Sequence, residues 1–185
     1  GPDRWVIDAR PERLRECVEG SLRRLKRERI DLLQLHRVDP NVPLAESLGA
    51  LTDMQSEGKI RHIGVSQTSV AEYEQARKLA PIVSVQNRYN VEDQSSEDVV
   101  KAAERDGIVF LPWFPLGGEG QPRHAALTRI AAAHGATPTQ VALAWLLARS
   151  PAILPIPGTS SIAHFDENLA ASNLTLSKEE LAQLA

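Results

Sequence analysis

A chain of 185 residues, 42% hydrophobic and 24% charged, has the make-up of one globular domain with a sizeable core. Its net charge of −3 and pI near 6.0 exclude a general pull toward nucleic acid or anionic membrane surface. Cys17 is the single cysteine, which excludes an intramolecular disulfide, and the longest apolar run, 141–148, falls far short of the ~20 residues of a membrane span. The N-terminal Gly1-Pro2-Asp3-Arg4-Trp5 has no apolar signal-peptide core, so a single cytoplasmic-type domain over residues 1–185 is expected.

Residues 1–10 read as an irregular lead-in. Pro11 suits a helix start, and Leu14, Cys17, Val18, Ser21, Leu22 and Leu25 follow as one apolar stripe, with Cys17 as a small core residue. Ile30-Asp31-Leu32-Leu33-Gln34-Leu35-His36 is almost unbroken apolar sequence, the pattern of a strand buried on both faces. A helix over Leu44 to Ser56 stops at Gly58, and a strand runs from Lys59 to Ser66. Ser69 with Glu72 forms a capping box that opens a helix to Leu79. Pro81 ends it, and Ile82–Gln86 is the next strand.

Ser95 to Arg105 reads as a helix, Ile108 to Leu111 as a strand, and His124 to His134 as a helix stopped by Gly135. Thr137-Pro138-Thr139-Gln140 is a second capping box, opening the apolar helix to Arg149. Ala152–Ile156 is the last expected strand, and a helix over Ala163–Ala171 and a short one capped by Ser177 with Glu180 close the chain. Helices separate every pair of strands, which requires a parallel sheet with helical crossovers. Five such units do not close a barrel, so an open doubly wound sheet and part of an eight-stranded barrel both fit.

The expected strand ends carry His36, Ser66-Gln67, Gln86-Asn87, Trp113 and Gly158-Thr159-Ser160. In either architecture these tips share one rim, where parallel α/β proteins bind ligands. Amide side chains offer both a donor and an acceptor, which suits a carboxamide-bearing ring, and Trp113 suits stacking or a core position. Gly158-Thr159-Ser160-Ser161 before a helix offers N–H groups and hydroxyls to an anion, and reads equally as a plain cap. The sequence has no G-x-G-x-x-G, Walker or G-x-S-x-G motif, and its five scattered histidines lack metal-ligand spacing, so no metal is expected.

Five stretches in order, Leu32–His36, Gly58–Ser66, Ser84–Asn90, Pro112–Gly118 and Ile156–Thr159, make the chain resemble the aldo-keto reductases from residue 10 onward. The resemblance implies a (β/α)8 TIM barrel, here incomplete, with about five β/α units (strands four to eight) and the N-terminal strands absent. It implies NADPH-dependent reduction of aldehydes or ketones, with NADH possible because Gly158 and His164 stand where some relatives carry lysine and arginine.

By the same resemblance, His36 is the catalytic histidine that orients the substrate carbonyl. Ser66, Gln67 (where asparagine is usual) and Gln86 hold the nicotinamide carboxamide, and Trp113 stacks on the ring. Leu116, Gly117 and Gly118 form the loop over the pyrophosphate, and Gly158, Thr159, Ser160, His164, Glu167 and Asn168 fall at the adenosine end and its 2′-phosphate. Phe114, Pro115 and Pro157, beside these stretches, are also expected to bind cofactor. The family's catalytic Asp, Tyr and Lys come from earlier strands, and neither Tyr73 nor Tyr89 matches the proton donor. The expectations are a small carbonyl substrate and a chain inactive alone, with a missing N-terminal barrel segment or a second copy as partner. A cofactor-binding regulatory subunit with the same fold is the alternative.

Overall fold

The structure, a computed structural model, describes residues 6–117 and 124–184. Its helices and strands fall in two compact units, 1–86 and 87–185.

In the first unit α1 (Pro11–Leu25) precedes β1 (Ile30–Leu35), α2 (Leu44–Ser56), β2 (Ile60–Ser66), α3 (Val70–Leu79) and β3 (Ile82–Gln86). β1 pairs parallel with β2, and β2 parallel with β3, with α2 and α3 as the crossovers. Leu48, Leu51 and Met54 of α2 are fully buried with Ile60, Ile63 and Val65 of β2, so the middle strand carries the core. Gly58 turns the chain at φ +78° after α2, and the Ser69–Glu72 capping box forms reciprocally at the start of α3.

Two expectations fail in this unit. β1 is not buried on both faces: Asp31 and Leu32 are exposed, Leu33 and Gln34 half-buried, and Leu35 alone is buried. Within this unit β1 has a paired strand on the β2 side only, so the apolar run is an edge rather than a centre. Cys17 is exposed rather than in the core. The face of α1 that turns inward is the one bearing Val18, and Cys17 lies about 100° round the helix from it.

Past the tip of β1 the buried carboxylate of Asp39 accepts hydrogen bonds from the backbone N–H groups of Asn41 (2.9 Å) and Ala9 (3.0 Å). Those two N–H groups, Asn41 first, hold its carboxyl below the ordinary aspartate value. Ser47 donates its hydroxyl hydrogen to the Ala9 carbonyl at 2.7 Å, so the lead-in is tied to both the β1 loop and α2.

The second unit holds α4 (Glu97–Asp106), β4 (Val109–Phe110), α5 (Ala125–His134), α6 (Pro138–Arg149), α7 (Ile162–Ala170), a 3-10 turn at Ala171–Asn173 and α8 (Lys178–Gln183). Both capping boxes expected here, Thr137 with Gln140 and Ser177 with Glu180, are formed. The expected strand Ala152–Ile156 is reduced to a single parallel bridge between Ile153 and Phe110. Phe110 receives its hydrogen bond from Leu154 and donates to Ala152, which matches a β4 of two residues. Tyr89, Phe110, Val141, Leu146 and Leu127 are fully buried and form the core.

Candidate functional site

In the first unit the site residues follow from strand register. Parallel partners point to the same face, and Gln34 stands opposite Gly64, which stands opposite Ser84. Two residues on, Ser66 stands opposite Gln86. His36, one residue beyond β1, continues the alternation of Gln34 and is exposed.

The pairing of Ser66 with Gln86 depends on one irregularity. Ile63 pairs with Ile82 but Gly64 pairs with Ser84, so Val83 is an extra residue on β3. An unbroken ladder would set Ser66 against Val85 and turn the Gln86 side chain out of line with it. Bulges commonly re-aim side chains beside functional sites, and this one brings the serine and the glutamine together. The Ser66 hydroxyl donates to the Gln86 carbonyl at 2.8 Å, and the Gln67 backbone N–H donates to the same oxygen at 3.0 Å. Gln67 adopts φ +54°, a left-handed conformation that glutamine tolerates poorly. Gln86 accepts from the Gln34 side-chain amide, Nε2 to Oε1, at 2.8 Å.

These bonds fix the polarity of the tip. The Ser66 hydrogen is committed to the backbone, leaving its oxygen as an acceptor, while the committed oxygen of Gln86 leaves its amide nitrogen as a donor. One donor beside one acceptor matches a primary carboxamide, so the residues present fit a nicotinamide ring.

In the second unit, Trp113 is half-buried and bridges Arg88: its N–H donates to Asn87 at 3.0 Å and its carbonyl accepts from Tyr89 at 3.4 Å. The Arg88 guanidinium lies 5.8 Å from the centre of the Trp113 ring, and Phe114 meets Trp113 edge-on at 5.0 Å. Phe114 (φ +55°) and Gly117 (φ +78°) make a tight turn whose Phe114 carbonyl accepts from the Asn90 side chain at 2.9 Å and from Gly117 at 3.0 Å.

That turn and the segment after Ile153 come together. Phe114, Pro115, Leu116 and Gly117 line a pocket of about 300 Å3 with Ile156, Pro157 and Gly158. Two expected cofactor stretches therefore share one cavity, open beside Gly158, where a Cβ would meet nothing within 4 Å. Gly118 lies outside the described residues. Thr159 accepts from the Ser161 backbone at 3.1 Å, and Ser161 caps α7 by accepting from His164 at 3.4 Å. Ser160 and His164 are exposed and Asn168 half-buried. Glu167 is engaged: its carboxylate accepts from the Thr137 hydroxyl at 2.5 Å, and its carbonyl from Gln140 at 3.1 Å. It is held against the start of α6.

Sequence reasoning overlooked Gln34 and Gly64. The signal was present, since Gln34 is the one amide inside an apolar strand and Gly64 interrupts another.

Parallel strands joined by helices, with polar residues at strand ends, define the α/β class of protein, in which ligands bind at the strand-end rim. The chain belongs to the aldo/keto reductase family, whose model matches residues 1–185. It is 43% identical to the pyridoxine 4-dehydrogenase of Escherichia coli over 186 residues, 97% of this chain and 65% of that protein. Among solved structures it resembles a thermostable aldo-keto reductase in complex with the inhibitor epalrestat, with a TM-score of 0.87, 34% identity, and 95% of this chain against 66% of that one. A Klebsiella pneumoniae aldo-keto reductase in complex with NADPH gives a TM-score of 0.83 and 33% identity, over 92% of this chain and 63% of that one. The chain spans less than two thirds of the length of the curated relatives it matches. Its four described strands and their crossovers are part of a (β/α)8 barrel of the aldo-keto reductase type.

Proposed function

We propose that the chain holds NADPH for the reduction of an aldehyde or ketone, in a cytoplasmic setting, and that turnover needs more than this chain. The observation that carries the reading is the Ser66–Gln86 pair, with one committed hydroxyl and one committed amide oxygen.

Gln86 offers its amide nitrogen to the carboxamide oxygen, and Ser66 accepts from the carboxamide nitrogen. Gln67 and Trp113 take the places that the family resemblance gives them beside the ring. The pocket of Phe114–Gly117 and Pro157–Gly158 receives the phosphates, and by the family resemblance Gly118 belongs to the same loop while Thr159, Ser160, His164 and Asn168 serve the adenosine end. Bound NADPH supplies the hydride that reduces the carbonyl carbon. His36, at the exposed tip of β1, donates a hydrogen bond to the substrate carbonyl oxygen and fixes its approach.

The alkoxide that forms needs a proton. Tyr73 and Tyr89 are the two tyrosines of the sequence, and both are fully buried. The donor is therefore assigned to a further barrel segment or a second copy. The name of the Escherichia coli relative, pyridoxine 4-dehydrogenase, makes pyridoxine and its 4-aldehyde, pyridoxal, the first substrate pair to try.

Fluorescence titration of the purified chain with NADPH, in parallel with absorbance at the reduced-nicotinamide band in the presence of pyridoxal, tests both halves. Saturable quenching without NADPH consumption is expected. Absence of binding overturns the cofactor assignment, and steady carbonyl-dependent consumption overturns the claim that the chain is incompetent alone.

A further inference from the structure

We propose that Gln34 is a positioning residue, which orients the Gln86 amide so that its nitrogen, not its oxygen, faces the ligand. The inference rests on the reading of Gln86 as the carboxamide-binding side chain.

Gln34 and Gln86 belong to strands that are not neighbours, because β2 runs between β1 and β3. Their 2.8 Å bond therefore passes over β2, and the β2 residue at the crossing is Gly64. A Cβ there would stand 2.3 Å from Ser84 Oγ, closer than side chains tolerate, and a tight 3.0 Å from Gln34 Oε1. The glycine opens a channel along the sheet face, and Gln34 reaches through it.

The arrangement is costly for packing alone. Gln34 Oε1 and Ser84 Oγ are buried with no hydrogen-bond partner among the described residues. Leucine at 34 and alanine at 84 would fill the same face with neither polar atom orphaned. What the glutamine supplies is a direction. An unrestrained carboxamide side chain has two orientations of similar shape, with oxygen and nitrogen exchanged. A donor at Gln86 Oε1 selects one. Ser66, its hydrogen spent on the Gln86 carbonyl, supplies the complementary acceptor. Together they favour an amide and disfavour a carboxylate, which would set a second acceptor against Ser66.

The test compares three probes on the full chain: NADPH, its nicotinic acid analogue, and adenosine 2′,5′-bisphosphate, which lacks the ring. Gln34→Met keeps length while removing the donor, and Gln34→Leu serves as a second variant, each checked by circular dichroism. Wild type is expected to prefer NADPH to the acid analogue. In either variant the affinity for NADPH falls by about ten-fold, the value of one hydrogen bond. The preference over the acid analogue narrows, and bisphosphate affinity stays put. Equal loss for all three probes identifies a merely structural glutamine and overturns the proposal, as does unchanged preference. Wild type that binds the bisphosphate but does not distinguish amide from acid overturns the reading of Gln86 itself.

Discussion

Tyr89 donates its phenolic hydrogen to the Glu97 carboxylate over 2.5 Å, and the same carboxylate receives the Arg149 guanidinium. The ring is fully buried, stacked on Trp145 at 5.6 Å and edge-on to Phe110 at 5.8 Å. The chain from Asn87 to Tyr89, which carries the Trp113 bridge, is thereby pinned to α4 and α6. Tyr89→Phe keeps the ring and loses the bond, so urea unfolding should show about 1 kcal/mol lost. Glu97→Ala should cost more, about 2–3 kcal/mol, because it leaves a buried hydroxyl and a half-buried guanidinium without their acceptor. Burial pushes the phenol above its ordinary value of 10.0. Its contribution is complete below that value and is lost as pH rises through the raised one, a decline that Tyr89→Phe removes.

At the other end of the pH scale the first unit supplies a carboxylate. Arg15 reaches both oxygens of Glu57 at 2.8 Å, and Lys59 joins at 2.9 Å while also holding Glu19 at 2.8 Å. The bond from Arg15, then that from Lys59, brings the Glu57 carboxyl from 4.5 to about 2. A depressed value means stability present above the unfolded pKa and lost as pH falls through the folded one. Unfolding free energy should therefore decline from about pH 4.5 toward pH 2. Glu57→Gln should flatten the slope without altering the neutral plateau much, since the cluster is exposed and screened. An unchanged acid slope in the variant would refute this account.

The register at Gly64 makes a third prediction, on stability. In Gly64→Ala the new Cβ meets Ser84 Oγ at 2.3 Å and the Ser84 carbonyl at 3.2 Å. Overpacking of this kind costs about 1–3 kcal/mol. Adding Ser84→Ala removes the nearer clash and leaves the backbone contact, so the double variant should recover part of the loss. Full additivity of the two substitutions in denaturant unfolding would show that the sheet relaxes elsewhere.

Helix starts were the most legible feature of the sequence. The serine, threonine and glutamate or glutamine of a capping box lie three residues apart and act on each other, so Ser69, Thr137 and Ser177 needed no tertiary information. Burial was less legible because it depends on which partners arrive. Leu32 and Cys17 have core-like sequence surroundings, yet one lies on an edge and the other on an outer helix face. The Val83 bulge left no trace, since register belongs to a pair of strands rather than to either one. The tip residues Ser66 and Gln86 were visible as polar strand ends, but the bonds that orient them come from 20 and 52 residues away. Glu167 shows the same limit: Thr137, which engages its carboxylate, is 30 residues distant.

Gln67 offers the last prediction, and it separates strain from reach. At φ +54° an L-residue with a long side chain pays for a conformation that asparagine tolerates better. Gln67→Asn keeps the amide and should stabilise the fold by about 0.5–1 kcal/mol, measured as a higher urea midpoint at constant m-value. Gln67→Gly should stabilise through the same dihedral while discarding the amide. If the side chain also holds the nicotinamide ring, only the glycine variant weakens NADPH binding, whereas a purely conformational role leaves both variants binding like wild type. A less stable Gln67→Asn would show that the bonds of the longer amide outweigh the backbone strain.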